Sequence, residues 1–272
     1  METPILELVG VGKTFKGDAL FRHVDMTVRR GACQALTGRN GAGKTTLLRI
    51  AAGLVSASEG QVRREKDLSI GYVPEHFPKL NMTARQFLRH MGAIEGLGSE
   101  GTEAGMKLFS DFFMEDLIDL PMGRLSKGTL QKVAVVQALL KPRDLLLLDE
   151  PLSGQDEKSQ RVFIEKIAGC KRTGTAVLLS CHEPFLIERL ADEAYRLEPD
   201  GLKWVRIGEA EGPRALLAFE PDRDAEFPAD VRSWKRDGRL YASVPREGCN
   251  QLVVGMIEKG YSLREMRDED GV

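Results

Sequence analysis

Gly38-Arg39-Asn40-Gly41-Ala42-Gly43-Lys44-Thr45-Thr46 is the stretch that decides the fold. It fits G-x-x-x-x-G-K-[ST] and lies between an apolar run, Ala32 to Thr37, and a segment from Lys44 to Ala52 with Leu47, Leu48 and Ala51 at helical spacing before Gly53. Strand, glycine-rich loop and helix in that order make a phosphate cradle. The glycines let the backbone curl until several N–H groups converge, and the helix start adds its positive end. Lys44 is expected to reach the outer phosphates of a nucleoside triphosphate, and the Thr45 hydroxyl to ligate Mg2+.

Four consecutive leucines, Leu145 to Leu148, run into Asp149-Glu150-Pro151. A run of that kind suits a strand buried on both faces of a parallel sheet, and its carboxyl end is where open α/β sheets bind ligands. Asp149 is expected near Mg2+, and Glu150 is placed to orient and deprotonate a water attacking the γ-phosphate. A second buried strand is expected at Ala176 to Ser180, with a helix over Lys158 to Ala168 between the two.

Toward the N-terminus, Ile5 to Val11 and Val24 to Arg30 read as strands, and Ser69 to Val73 as another, ended by Pro74. From Thr83 to Met114 the pattern turns helical, in two stretches divided by the Gly-rich Gly96 to Gly105. Ser126 is placed to cap a helix with Leu130, Val133, Val136 and Leu140 facing inward before Pro142. Beyond Pro199 the motif density falls. A boundary is expected near 200–212, followed by a Pro- and charge-rich segment, Glu220 to Pro228. A small tail then has strands at Arg239 to Val244 and Tyr261 to Met266 and a helix over Glu247 to Lys259.

Composition limits the alternatives. The chain has 272 residues, 42% hydrophobic and 29% charged, which is enough apolar material for one large domain and an appendage. A net charge of -2 gives no whole-chain field for nucleic acid. No run free of charged residues is longer than Gly248 to Ile257, about half the ~20 residues of a membrane-spanning helix. The N-terminus lacks the basic start and apolar run of a secretion signal, and Cys33, Cys170, Cys181 and Cys249 form no C-x-x-C pair; a cytoplasmic protein with reduced thiols is expected.

The phosphate loop, Leu125-Ser126-Lys127-Gly128-Thr129-Leu130-Gln131-Lys132, the leucines before Asp149-Glu150-Pro151, and Ser180-Cys181-His182 occur in the order and rough spacing of the ATP-binding cassette (ABC) ATPases, which this chain resembles from residue 4 to about 200. The Leu-Ser-x-Gly element separates that family from other phosphate-loop proteins. The resemblance implies an α/β fold: a P-loop NTPase core with a mostly parallel sheet, an N-terminal antiparallel β subdomain, a helical insert at about 76–140, and a cassette spanning 1–205. A C-terminal α+β domain would occupy 206–272.

It also implies roles. Phe15 matches the aromatic that stacks on adenine, although alone it is equally a strand-core aromatic. Glu75 stands where most of the family has a glutamine that touches Mg2+, and His182 matches the histidine bridging γ-phosphate and attacking water. Ser126 and Gly128 would meet ATP held by a second subunit; Lys127 would add a cationic contact or point to solvent. The Pro74-Glu75 and Leu-Ser-Lys-Gly forms look like the subset serving ABC-2 type exporters, while Gly154-Gln155 departs from the family's usual Ala-Leu. His23, His76, His90, Trp204 and Trp234 carry no pattern.

With one phosphate loop and one signature per chain, two copies are expected to pair head to tail around ATP. A separate transmembrane permease would then place the chain on the inner face of the cell membrane. The competing class is a soluble, non-transport ABC ATPase working as an ATP-driven clamp in assembly or repair, and a third is a regulatory module without turnover. The tail is read as structural or assembly-related, with a regulatory or covering role as the alternative.

Overall fold

The computed structural model describes residues 3–208, 214–221, 233–236, 238–245 and 249–268. The chain divides into two compact units, Met1–Cys181 with Phe185–Gly208, and His182–Pro184 with Glu209–Val272.

The first unit is built on a six-stranded sheet whose order is β5-β6-β7-β3-β8-β9. Its strands are β3 (Cys33–Thr37), β5 (Ile70–Val73), β6 (Leu145–Asp149), β7 (Ala176–Ser180), β8 (Glu193–Glu198) and β9 (Gly201–Val205). All neighbours are parallel except the edge pair β8 and β9. Every residue of β3, β6 and β7 is buried, which is why their sequences are nearly continuous apolar runs rather than alternations. Register aligns the carboxyl ends: Val73 pairs with Leu148, Asp149 with Ser180, and Leu36 with Ser180. Parallel strands therefore deliver the residues that follow β3, β5, β6 and β7 to one edge of the sheet.

A second, antiparallel sheet of order β2-β1-β4 is formed by β1 (Leu6–Phe15), β2 (Asp18–Val28) and β4 (Glu59–Arg64). The helix α1 (Lys44–Ala52) packs against this sheet and the parallel one. Its Leu47, Leu48, Ile50 and Ala51 share one core with Leu6, Leu8, Phe21 and Val28 of the antiparallel sheet and Leu36, Leu145 and Leu178 of the parallel sheet. Burying both apolar faces of so short a helix supplies what its few hydrogen bonds cannot.

The helical insert comprises α2 (Ala84–Ile94), α3 (Gly98–Asp111) and α4 (Lys127–Ala138). Thr83 and Gln86 close a capping box on α2. The expected Gly-rich divider from Gly96 to Gly105 is mostly helix: only the stretch from Glu95 to Leu97 separates α2 from α3. The reason is packing, since a Cβ on Gly105 would overlap the Leu88 side chain of α2. The α4 helix is buried on nearly all sides, so its sequence does not show one clean apolar stripe. The helix between β6 and β7, α5 (Glu157–Arg172), is longer than expected at both ends; Asp156 caps it by accepting from the Ser159 N–H at 3.0 Å. A short helix, α6 (Pro184–Leu190), follows β7.

Residues 201–205, placed in the boundary region from sequence, form the edge strand β9 instead, and β4 and β8 were not visible in the pattern. The second unit carries a four-stranded antiparallel sheet of order β11-β12-β10-β13, made of β10 (Arg214–Pro221), β11 (Ser233–Arg236), β12 (Arg239–Pro245) and β13 (Tyr261–Asp268). The helix α7 (Cys249–Glu258) covers it, with Cys249 and Met256 buried against Leu217, Phe219, Ala242 and Tyr261. The expected starts of that helix at Glu247, the boundary residues 209–212 and the charge-rich residues 222–228 lie outside the described residues.

Candidate functional site

Gly38 opens the loop directly after β3, and Gly43 closes it as the cap of α1. Gly43 has φ 103, and a Cβ there would lie 2.8 Å from both Leu20 Cδ2 and Phe21 Cδ1 of β2. Only glycine satisfies that backbone and that space together. The cap residue Gly43 has no side chain to accept from the first turn of α1, and a helix N-terminus of that kind suits an anion. The Lys44 ammonium turns back along the loop and donates to the Gly38 carbonyl at 2.8 Å and the Arg39 carbonyl at 3.4 Å. Burial pushes this lysine below its ordinary range, while Glu150 and then Asp149 oppose the shift. Arg39, Asn40, Gly41 and Ala42 form the rest of the loop, and Thr46 lies in the first turn of α1 beside Thr45.

At the end of β6, Asp149 is 1% exposed. Its Oδ1 accepts from the Thr45 hydroxyl at 3.2 Å and from the Ser180 hydroxyl at 2.6 Å, so the sheet edge joins loop, acid and neighbouring strand. Its Oδ2 is buried with no hydrogen-bond partner. A hydroxyl and a buried carboxylate oxygen without a donor are a hard-oxygen set of the kind Mg2+ takes through one or two protein ligands plus phosphates. The residues present therefore fit that ion.

Glu150 has φ 46, a left-handed backbone that an L-residue adopts at a cost. It is held there by its N–H, which donates to the Ser180 carbonyl at 3.0 Å, and by its carbonyl, which accepts from the Ser153 N–H at 3.2 Å. The strained turn projects an acid just past the strand end. Glu75 follows β5 by two residues on the same sheet edge; His76 Nδ1 lies 3.5 Å from its Oε1, and its charge also acts on Lys44.

Ser126 caps α4, accepting from the Thr129 N–H at 3.1 Å. Gly128 is buried against Gly154, and a Cβ on Gly128 would overlap the Gly154 carbonyl. Two further residues of α4, read in the sequence only as part of the signature, are buried polar ties. Gln131 donates to the Pro74 carbonyl at 2.9 Å, and Lys132 pairs with Asp156 at 3.0 Å. Thus α4 is bonded both to the segment carrying Glu75 and to the turn after Glu150. Sequence reasoning also missed Ser180 as a donor to Asp149; its place at the carboxyl end of a leucine-rich strand was the available signal.

Phe15 ends β1 and is 50% exposed, with the Lys13 ammonium 4.9 Å from its ring centroid. His182 follows β7 by two residues, and His182–Pro184 belong to the second compact unit. The structure thus brings Lys44, Thr45, Asp149, Glu150 and Glu75 to one sheet edge, with Ser126 and Gly128 on a separate helix.

A family model described as ABC transporter matches residues 21–153. The zinc import ATP-binding protein ZnuC of Halorhodospira halophila is 35% identical over 201 residues, covering 72% of this chain and 75% of that protein. Among solved structures, an ATP-binding subunit of an ABC transporter superposes with a TM-score of 0.67 at 28% identity, covering 73% of this chain and 88% of the other. A dimeric ATP-binding cassette in a post-hydrolysis state with ADP and Pi has the same fold, with a TM-score of 0.66 at 20% identity over 74% of this chain and 98% of that one.

Proposed function

This chain belongs to the ABC transporter family as an ATP-binding subunit with ATPase activity, and from that premise we propose that it drives transport through a separate membrane permease by ATP-dependent, head-to-tail pairing of two copies. The observation that best supports this reading is the single sheet edge holding Lys44, Thr45, Asp149 and Glu150, with the Asp149 Oδ2 left without a donor. In this reading the backbone of Gly38 to Thr46 and the Lys44 ammonium hold the phosphates, while Phe15 stacks on the base. Thr45 and Asp149, with Glu75, hold Mg2+, which supplies positive charge against the phosphate oxygens when bound.

Glu150 accepts a proton from a water whose oxygen attacks the γ-phosphorus; the bond to the bridging oxygen breaks and ADP leaves. His182 orients that water against the γ-phosphate. Ser126 and Gly128 present a hydroxyl and a helix N-terminus to the ATP of the opposite copy. ATP then acts as the joint between subunits, and its hydrolysis releases them. Residues 1–205 form the cassette, with the permease docking near the helical subdomain at about 76–140, and residues 206–272 an accessory domain with a role in assembly. The chain sits on the inner face of the membrane through its permease. Among the described residues no helix is long and apolar enough to cross a membrane.

Export is the direction favoured by the Pro74-Glu75 and Leu-Ser-Lys-Gly forms. Import is the second reading, favoured by relatives named zinc import proteins. Phosphate release and size-exclusion chromatography with ATP test the mechanism. Wild type should release phosphate, Lys44→Ala should not, and Glu150→Gln should run as an ATP-bound dimer. Equal release from wild type and Lys44→Ala removes the assigned site, and a Glu150→Gln variant that stays monomeric alongside wild type removes the paired mechanism. Direction is read by reconstituting the co-purified permease in vesicles and following Zn2+ with ATP on one side.

A further inference from the structure

We infer that Lys13 is a positioning residue of the nucleotide site: its ammonium, seated over one face of the Phe15 ring, sets that ring as a one-sided platform for the purine of ATP. This rests on the reading of Phe15 as the base-stacking aromatic and adds the residue that fixes its pose.

The ring sits at the last paired position of a tight hairpin. Phe15 pairs with Asp18, and the two residues between them, Lys16 and Gly17, have φ 51 and φ 96. Positive φ at both positions is the mark of a two-residue primed turn, whose twist matches the strands and pins their register. The backbone of Phe15 is therefore well placed, but a half-exposed phenyl at a hairpin tip still has rotamers to choose among. Lys13, two residues earlier and half-buried, removes that freedom from one side. Its Nζ lies 4.9 Å from the ring centroid, inside the ~6 Å range of a cation–π contact.

The cation is itself held. Lys13 Nζ donates to the Ser56 carbonyl at 2.8 Å. Beside it the Thr14 N–H donates to Ser58 Oγ at 3.1 Å, and the Ser58 N–H donates to the Gly12 carbonyl at 2.8 Å. Ser56 and Ser58 lie in the loop that follows α1, the helix begun by the phosphate loop. On the other strand of the hairpin, Leu20 and Phe21 close directly on Gly43. Hairpin and phosphate loop are thus joined at both ends of α1, so a base on Phe15 and phosphates on Gly38 to Thr46 are referred to one rigid frame. With one ring face covered by the ammonium, the other is left for a flat partner. The cation also draws π density from the ring, which favours an electron-rich purine stacked opposite.

The test is calorimetric binding of MgATP and of Mg-tripolyphosphate, which lacks a base, to the full chain and three variants. Lys13→Met should weaken MgATP by about threefold and leave tripolyphosphate unchanged, and Lys13→Arg should restore MgATP. Phe15→Leu should weaken MgATP by about tenfold, again without effect on tripolyphosphate. If Lys13→Met binds MgATP like wild type while Phe15→Leu does not, the inference fails and the stacking role of Phe15 stands. Equal loss of both ligands in Lys13→Met, or an Arg variant that behaves like Met, makes Lys13 a structural strap and overturns the inference. If Phe15→Leu binds MgATP normally, the stacking role falls and the inference with it.

Discussion

Glu150 offers a prediction in which an ordinary rule reverses sign. Glycine is normally less stable than alanine within regular structure by about 0.5–1 kcal/mol, because it loses more backbone entropy on folding. At φ 46, however, an L-residue carries a steric cost of about 1–2 kcal/mol that glycine does not. Subtracting the mid-range values, about 0.75 from about 1.5, leaves Glu150→Gly more stable than Glu150→Ala by about 0.75 kcal/mol. Both variants delete the same carboxylate and the same attraction to Lys44, so their difference isolates the backbone. For a chain of this size that is a shift of about 1.5–3 °C in Tm, readable by circular dichroism melts of the nucleotide-free variants side by side. Neither variant should release phosphate, which separates stability from activity. If the glycine variant melts at or below the alanine variant, the turn is not strained and the proposed trade of stability for an aimed acid is wrong.

Other outcomes follow from particular contacts. Gly128→Ala places a methyl group against the Gly154 backbone, where no flexible side-chain end can yield. It should lower stability by about 1–3 kcal/mol and depress phosphate release while leaving MgATP affinity nearly intact; wild-type stability and turnover would mean that the close approach is dispensable. The Asp156 carboxyl is held well below its usual range, chiefly by the Ser159 N–H and further by the Lys132 ammonium. A lowered folded-state value stabilises above the unfolded carboxylate range near ~4 and is lost as pH falls through it toward the folded value. The stability advantage of wild type over Asp156→Asn, measured by urea midpoints at pH 7, 5 and 3.5, should therefore shrink toward acid pH; an advantage that grows would refute the assignment.

Much of the fold is local chemistry and so was legible. The phosphate loop, α1 and the buried strands β6 and β7 are encoded by neighbouring residues: glycines where the backbone must turn, leucines where both faces are covered, and helical spacing where one face packs. Asp149 and Glu150 could be singled out because they stand at the end of such a strand. What escaped depends on distant partners. The strands β4 and β9 are largely exposed, so their residues show little alternation, and their pairing is decided by β1 and β8. Gly98, Gly101 and Gly105 look like a breaker, yet they lie in α3, where a Cβ on Gly105 would overlap Leu88 of α2.

The sequence alone thus determined the class of ligand and the strand, loop and helix that hold it, because backbone curvature and apolar periodicity are properties of adjacent residues. Only the tertiary structure decided that Ser180 and Thr45 share one oxygen of Asp149, that Glu150 sits on a left-handed backbone, and that Lys13 covers one face of Phe15. The Asp149 contacts join segments far apart in the chain and exist only once parallel strands have paired, and the Glu150 turn is enforced by its surroundings. The Lys13 ammonium, two residues from Phe15 on the same strand, is held by the distant Ser56 carbonyl.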